Sequence, residues 1–137
     1  MHVLIIDDEA ALRQILVDTL NRAGYTTDSA SGVREATNKL MRGDVDVALC
    51  DIRMPDGDGV ELVRSMRDSG IDTQFIMVTA FASMETAVNA LRAGASDYMV
   101  KPINKEDLMH RLGNIGALRG LRAVSEALRA QTAARSR

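Results

Sequence analysis

Short apolar runs alternate along the chain with stretches whose apolar positions recur at helical spacing. Residues 3–6, 47–50 and 75–79 are almost continuously apolar, the mark of strands buried on both faces of a parallel sheet. Between the first two runs, Leu12, Ile15, Leu16, Thr19 and Leu20 line one face of a helix that Gly24 stops, and a strand follows near residues 25–29. Val33, Ala36, Thr37 and Leu40 predict a second helix ending at Gly43, and residues 60–66 predict a third ending before Gly70. Ser83 caps a fourth helix over 84–92 that stops at Ala93-Gly94, and residues 98–100 form the last strand. Five strands and five helices therefore alternate, which specifies an α/β domain with a doubly wound parallel sheet and helices on both faces.

The final helix is expected to start at Asn104, with Glu106 and Asp107 in its first turn where the helix dipole favours acids. Leu108, Leu112 and Ile115 form its inner stripe. Beyond them, Ala117, Leu121, Val124 and Leu128 are spaced 4, 3 and 4, as in a short heptad seam. Gly113, Gly116 and Gly120 each weaken a helix by about 1 kcal/mol relative to Ala, so this outer part needs a partner, and a homodimer is expected. The division expected is a globular domain over 1–120 and a helical dimerising linker over 121–137, leading toward an output domain that this chain does not contain.

Charge divides the chain in a similar way. Residues 1–104 carry 10 Lys and Arg against 16 Asp and Glu, whereas residues 105–137 carry 7 against 3. An acidic body excludes direct nucleic-acid binding by the globular part, since phosphate neutralisation needs a positive surface. No apolar run approaches the roughly 18 to 20 residues of a membrane span. Without a recognisable export signal, and with Cys50 as its single cysteine, the chain is expected to be cytoplasmic.

The candidate chemistry sits at strand ends. Asp7 and Asp8 follow the first strand, Asp51 follows the third, Thr79 ends the fourth and Lys101 follows the fifth. In open α/β sheets ligands bind in the crevice at those carboxyl ends. Three carboxylates converging there repel one another and are penalised by desolvation, so they require a cation. With no His or Cys ligands among them they select a hard ion, and Mg2+ is the one that pairs carboxylates with phosphate oxygens.

These positions resemble the receiver family of two-component response regulators over residues 1 to about 120. The resemblance is carried by Asp7-Asp8, by Asp51 within Asp-Ile-Arg-Met-Pro-Asp-Gly-Asp-Gly, and by Thr79-Ala80, Tyr98 and Lys101-Pro102. It implies a flavodoxin-like sheet of order 2-1-3-4-5, with Asp51 as phosphoacceptor for a sensor histidine kinase. It further implies Mg2+ held by Asp8, Asp51 and the Arg53 backbone carbonyl, with Asp7 acting through water. Thr79 and Lys101 would contact phosphoryl oxygens, Thr79 and Tyr98 would form the switch, and Pro102 would be cis. The surface of the fourth helix, fifth strand and fifth helix would then control a transcriptional output domain. The run from Thr79 to Tyr98 is similar to the nitrogen-regulator class of sigma-54 activators.

Taken singly, each of these residues has a plainer explanation: Asp7, Asp8 and Asp56 as loop residues or caps, Thr79 as a strand residue, Tyr98 as a half-buried sheet aromatic. Together they do not fall at four strand ends by independent choices. Two other readings share parts of the pattern. A haloacid-dehalogenase-type phosphatase needs a second Asp two residues after its nucleophile, where this chain has Arg53, which cannot act as a general acid at neutral pH. A receiver-like interaction module that has lost phosphorylation would not need Asp7, Asp8, Asp51, Thr79 and Lys101 all intact. His2 and His110 lie far apart with no ligand partners, which argues against zinc.

Overall fold

The computed structural model describes residues 1–135, leaving out the side chains of 121–123, 126 and 131–135. Two compact units are present, Met1–Ile103 and Asn104–Arg137.

In the first unit the elements follow as β1 (His2–Ile6), α1 (Ala10–Arg22), β2 (Thr26–Ala30), α2 (Val33–Leu40) and β3 (Val47–Asp51). They continue with β4 (Arg53–Met54), β5 (Gly57–Asp58), α3 (Gly59–Asp68), β6 (Gln74–Thr79), α4 (Met84–Ala93) and β7 (Asp97–Val100). Five strands make one sheet of order β2-β1-β3-β6-β7, parallel at every pairing. Without the small separate ribbon β4–β5, this is the expected 2-1-3-4-5. The apolar runs are the reason: Val3 to Ile6, Val47 to Cys50 and Phe75 to Val78 are all buried, as a sheet covered on both faces demands.

The chain leaves β1 toward β2 on one side and resumes at β3 on the other, so the strand order reverses between β1 and β3. That switch point opens a crevice at their carboxyl ends. Gly24, Gly43, Gly70 and Gly94, placed by the sequence at helix stops, all have positive φ. Strand and helix ends shift by one or two residues from expectation, and α2 ends at Leu40, three residues before Gly43. The antiparallel ribbon pairing Arg53 with Asp58 and Met54 with Gly57 was not expected. Two residues per strand show no periodicity.

The second unit is one continuous helix, α5 (Lys105–Arg135). Its start is capped as the sequence predicts, the Asp107 amide donating to Asn104 Oδ1 at 2.9 Å, and Arg111 pairs with Asp107 one turn on. Leu108, Leu112 and Ile115 are buried; Ala117, Leu118, Val124 and Leu128 are exposed. The fourth expected seam residue, Leu121, lies outside the described side chains. Among the described residues no helix is long and apolar enough to cross a membrane.

Candidate functional site

Each expected site residue stands at the end of a parallel strand or one step beyond it. Asp51 closes β3, Thr79 closes β6, Asp7 and Asp8 follow β1, and Lys101 follows β7. The ladder is continued past the strand ends by the Asp7 amide donating to the Ala30 carbonyl at 3.1 Å and the Lys101 amide to the Thr79 carbonyl at 2.8 Å. The backbone thereby brings the side chains together.

Lys101 Nζ donates to Asp7 Oδ2 at 2.8 Å and to Asp51 Oδ2 at 3.2 Å, bridging residues 94 and 50 positions away. Asp7 is buried, Asp51 nearly so, and Asp8 is exposed at the mouth. One oxygen from each of the three carboxylates lies within 4.8 Å of the others, and among the described residues this is the cluster of acidic, His and Cys groups close enough to hold a metal ion. Burial pushes the Asp51 carboxyl above its usual range and Asp7 adds to that, only partly offset by Lys101. On Lys101 burial acts downward, yet the hydrogen bonds to Asp7 and Asp51 outweigh it and raise the ammonium. One cation thus leaves the acidic crevice undercompensated. An all-oxygen donor set with residual negative charge fits a hard divalent cation such as Mg2+.

Around this centre, Thr79 is buried and its Oγ1 accepts from the Phe81 amide at 3.1 Å. The Lys101–Pro102 peptide bond is cis. Tyr98 lies in β7, three residues before Lys101, its ring partly buried against the core. The Arg53 guanidinium stands 5.8 Å from the centre of the Phe81 ring, both side chains exposed. Cys50, beside Asp51, is fully buried and its thiol is pushed far up by burial, so it is an inert packing residue. His2 Nδ1 is engaged by Thr26 Oγ1 at 2.9 Å, away from the crevice.

Two groups escaped sequence reasoning. Arg13, on α1, donates from its guanidinium to the Asp7 carbonyl at 2.7 Å and so steadies the acidic turn, while the Glu9 amide donates to Asp7 Oδ1 at 2.9 Å. The second is the ribbon after Asp51. Asp58 caps α3 through the Val60 amide at 2.7 Å, and Asp56 reaches across to α2. Neither the contact of Arg13 with the Asp7 carbonyl six residues earlier nor the reach of Asp56 had a signal in the sequence.

Residues 3–113 match the response regulator receiver domain. The chain belongs to that family. It is 40% identical over 126 residues to the response regulator protein PilR of Pseudomonas aeruginosa, covering 92% of this chain and 26% of PilR. Among solved structures it resembles TrrA of Thermotoga maritima in complex with Mg2+ and BeF, at 30% identity and a TM-score of 0.75, covering 83% of this chain and 97% of that one. The beryllofluoride-activated NtrC4 receiver domain dimer is similar at 32% identity and a TM-score of 0.78, covering 83% and 94%. The chain spans about a quarter to a half of the length of the curated relatives it matches. It is a receiver domain of two-component signalling.

Proposed function

We propose that this receiver domain takes a phosphoryl group from a sensor histidine kinase onto Asp51. The observation that carries the reading is the Asp7–Asp8–Asp51 cluster bridged by Lys101 at the switch point of the sheet. Asp8, Asp51 and the Arg53 backbone carbonyl would hold Mg2+, with Asp7 acting through water. A bound Mg2+ supplies neutralisation of the charge on the transferring group, so that an ordinary carboxylate serves as nucleophile.

An Asp51 carboxylate oxygen attacks phosphorus in line; that O–P bond forms as the bond to the donor breaks, and the donor keeps the electron pair. Lys101 exchanges its contact with Asp51 for one with a phosphoryl oxygen, which suits a compact, rotatable ammonium better than a fixed fork. The Thr79 hydroxyl, turning from acceptor to donor, draws the loop before α4 inward and frees space for Tyr98 to move. The protein promotes only its own phosphorylation and dephosphorylation, in the cytoplasm, and governs a transcriptional output domain of the nitrogen-regulator type. Acetyl phosphate with Mg2+ should add one phosphoryl group to the intact mass. Labelling that proceeds equally well when a chelator is present from the start, or a label stable to neutral hydroxylamine, would reject an Asp51 acyl phosphate.

Lys101→Ala should slow labelling by about a hundredfold, the scale on which loss of a positioned charge costs a reaction, while circular dichroism in Mg2+ remains that of the parent. Loss of fold together with labelling would make Lys101 structural.

The linker reading concerns residues 121–137. Ala117, Leu121, Val124 and Leu128 form a seam for a second copy, supported by the exposure of Val124 and Leu128 in a helix that Gly113, Gly116 and Gly120 weaken. Sedimentation of this chain, and of one cut after Leu118, should show association that depends on the seam and changes on phosphorylation. Two monomers in both states would leave the extension a plain linker.

A further inference from the structure

Helix α2 has no cap of its own. Its N-cap is Gly32, which has no side chain to offer, and Glu35 turns back to Ser31 rather than to the first helical amides. Those amides are satisfied from a distant part of the chain. The Asp56 carboxylate accepts from the Val33 amide at 2.9 Å through Oδ1 and from the Arg34 amide at 3.0 Å through Oδ2, across 23 and 22 residues. These two amides hold the Asp56 carboxyl below its usual range. The fit is close: a Cβ at Gly32 would stand 2.5 Å from Asp56 Oδ1, and one at Gly57 would stand 3.0 Å from the Val33 side chain. The β4–β5 ribbon therefore lies flush on the start of α2.

The same ribbon begins with Arg53. Its other shoulder is fastened to α3, by Asp58 on the Val60 amide and by the Gly59 amide on the Ile52 carbonyl at 2.6 Å. Between these anchors only Met54 is buried, so a ribbon of two-residue strands depends on Asp56 for its hold on α2.

We propose that Asp56 is a positioning residue for cation binding, docking the ribbon on α2 so that the Arg53 carbonyl is kept in place as a ligand. This rests on the assignment of that carbonyl to the Mg2+ site. Partners of metal ligands fix ligand orientation, and the coupling is reciprocal: what the cap does for the cation, the cation does for the cap.

The test is a Mg2+ titration of the full 137-residue chain followed by amide NMR, on the parent, Asp56→Ala and Asp56→Asn. The two variants lose the same charge, so a difference between them does not come from charge and reports the acceptor that Asn retains. Asp56→Ala should raise the dissociation constant by about tenfold, the low end of the effect of such partners. Asp56→Asn, which keeps an acceptor oxygen, should fall between it and the parent. In the parent, Mg2+ should slow hydrogen exchange at the Val33 and Arg34 amides more than at Thr86, the amide capped by Ser83 in α4. If Asp56→Ala does not fold, the parent's exchange and Asp56→Asn still decide. Equal affinity in Asn and Ala variants and parent, or no Mg2+ effect at Val33 and Arg34, overturns the proposal. A parent that does not bind Mg2+, or an Asp8→Ala variant that binds it equally well, overturns the site assignment instead.

Discussion

Asp51→Asn is expected to take up no phosphoryl group and, at neutral pH without a divalent cation, to melt a few degrees above the parent chain. The first effect follows from the loss of the nucleophilic oxygen. The second follows from the electrostatics of the crevice. Asp51 shares it with Asp7, Lys101 is the one ammonium between them, and burial with Asp7 repulsion leaves the Asp51 carboxyl raised. An amide of nearly the same shape removes that penalty and can still accept from Lys101 Nζ, which keeps its closer contact with Asp7. Relief of such charge conflicts contributes about 0.5–2 kcal/mol, or a few degrees in a domain of this size.

The sign of the pH dependence is a second check. Because the folded-state pKa of Asp51 is raised above its unfolded value, the ionised carboxylate costs stability at pH above the folded value. The cost fades as pH falls through that value and is gone below the unfolded one, near the ordinary carboxylate range. The advantage of Asp51→Asn should therefore shrink on acidification. Saturating Mg2+ should reverse it at neutral pH, since the parent gains binding free energy that the variant largely lacks. Thermal melts of both chains across pH, with Mg2+ or chelator, measure all of this. A variant that melts below the parent in chelator at neutral pH would show that the Lys101–Asp51 contact outweighs the crowding of charge.

The main sheet and the polar groups at its rim were legible because each signal was local. An apolar run of four or five residues places a strand, and the next polar residue falls at its carboxyl end; Asp7, Asp51, Thr79 and Lys101 were found that way. Helix stops were equally local, since a glycine at positive φ is a property of one residue. What stayed hidden depends on pairs far apart in the chain. Nothing around Val33 announces that Asp56 will cap it, and nothing in Arg53–Asp58 has the length to show a strand period. Asp56 was recognisable as a residue fit for capping, but not for which helix. The seam proposed on α5 is a pattern of spacing; Ala117, Val124 and Leu128 are exposed, and a pattern alone does not supply the partner.

Gly59→Ala is expected to destabilise the domain by about 2–3 kcal/mol or more and to slow labelling of Asp51, although alanine is the better helix former. Gly59 is the first residue of α3 and packs directly behind Asp51, the proposed phosphoacceptor. A Cβ there would lie 2.2 Å from the Asp51 carbonyl oxygen, 3.0 Å from Cys50 Sγ and 3.1 Å from Met77 Cε. The methionine tip can move, but the Asp51 carbonyl belongs to the central strand and cannot retreat without shifting the nucleophile. Overpacking of this kind costs about 1–3 kcal/mol, and a backbone obstacle puts it at the upper end. Helix propensity returns at most about 1 kcal/mol. The clash wins, and because it is resolved by moving either α3 or the end of β3, stability and phosphorylation should fall together. Gly113→Ala is the control: at an exposed position of α5, with nothing within 4 Å of its Cβ, it should gain up to about 1 kcal/mol and leave labelling unchanged. Denaturant melts and acetyl phosphate labelling on both variants decide the matter. If Gly59→Ala keeps the parent's midpoint, α3 has room to slide, and the close approach behind Asp51 does not position the phosphoacceptor.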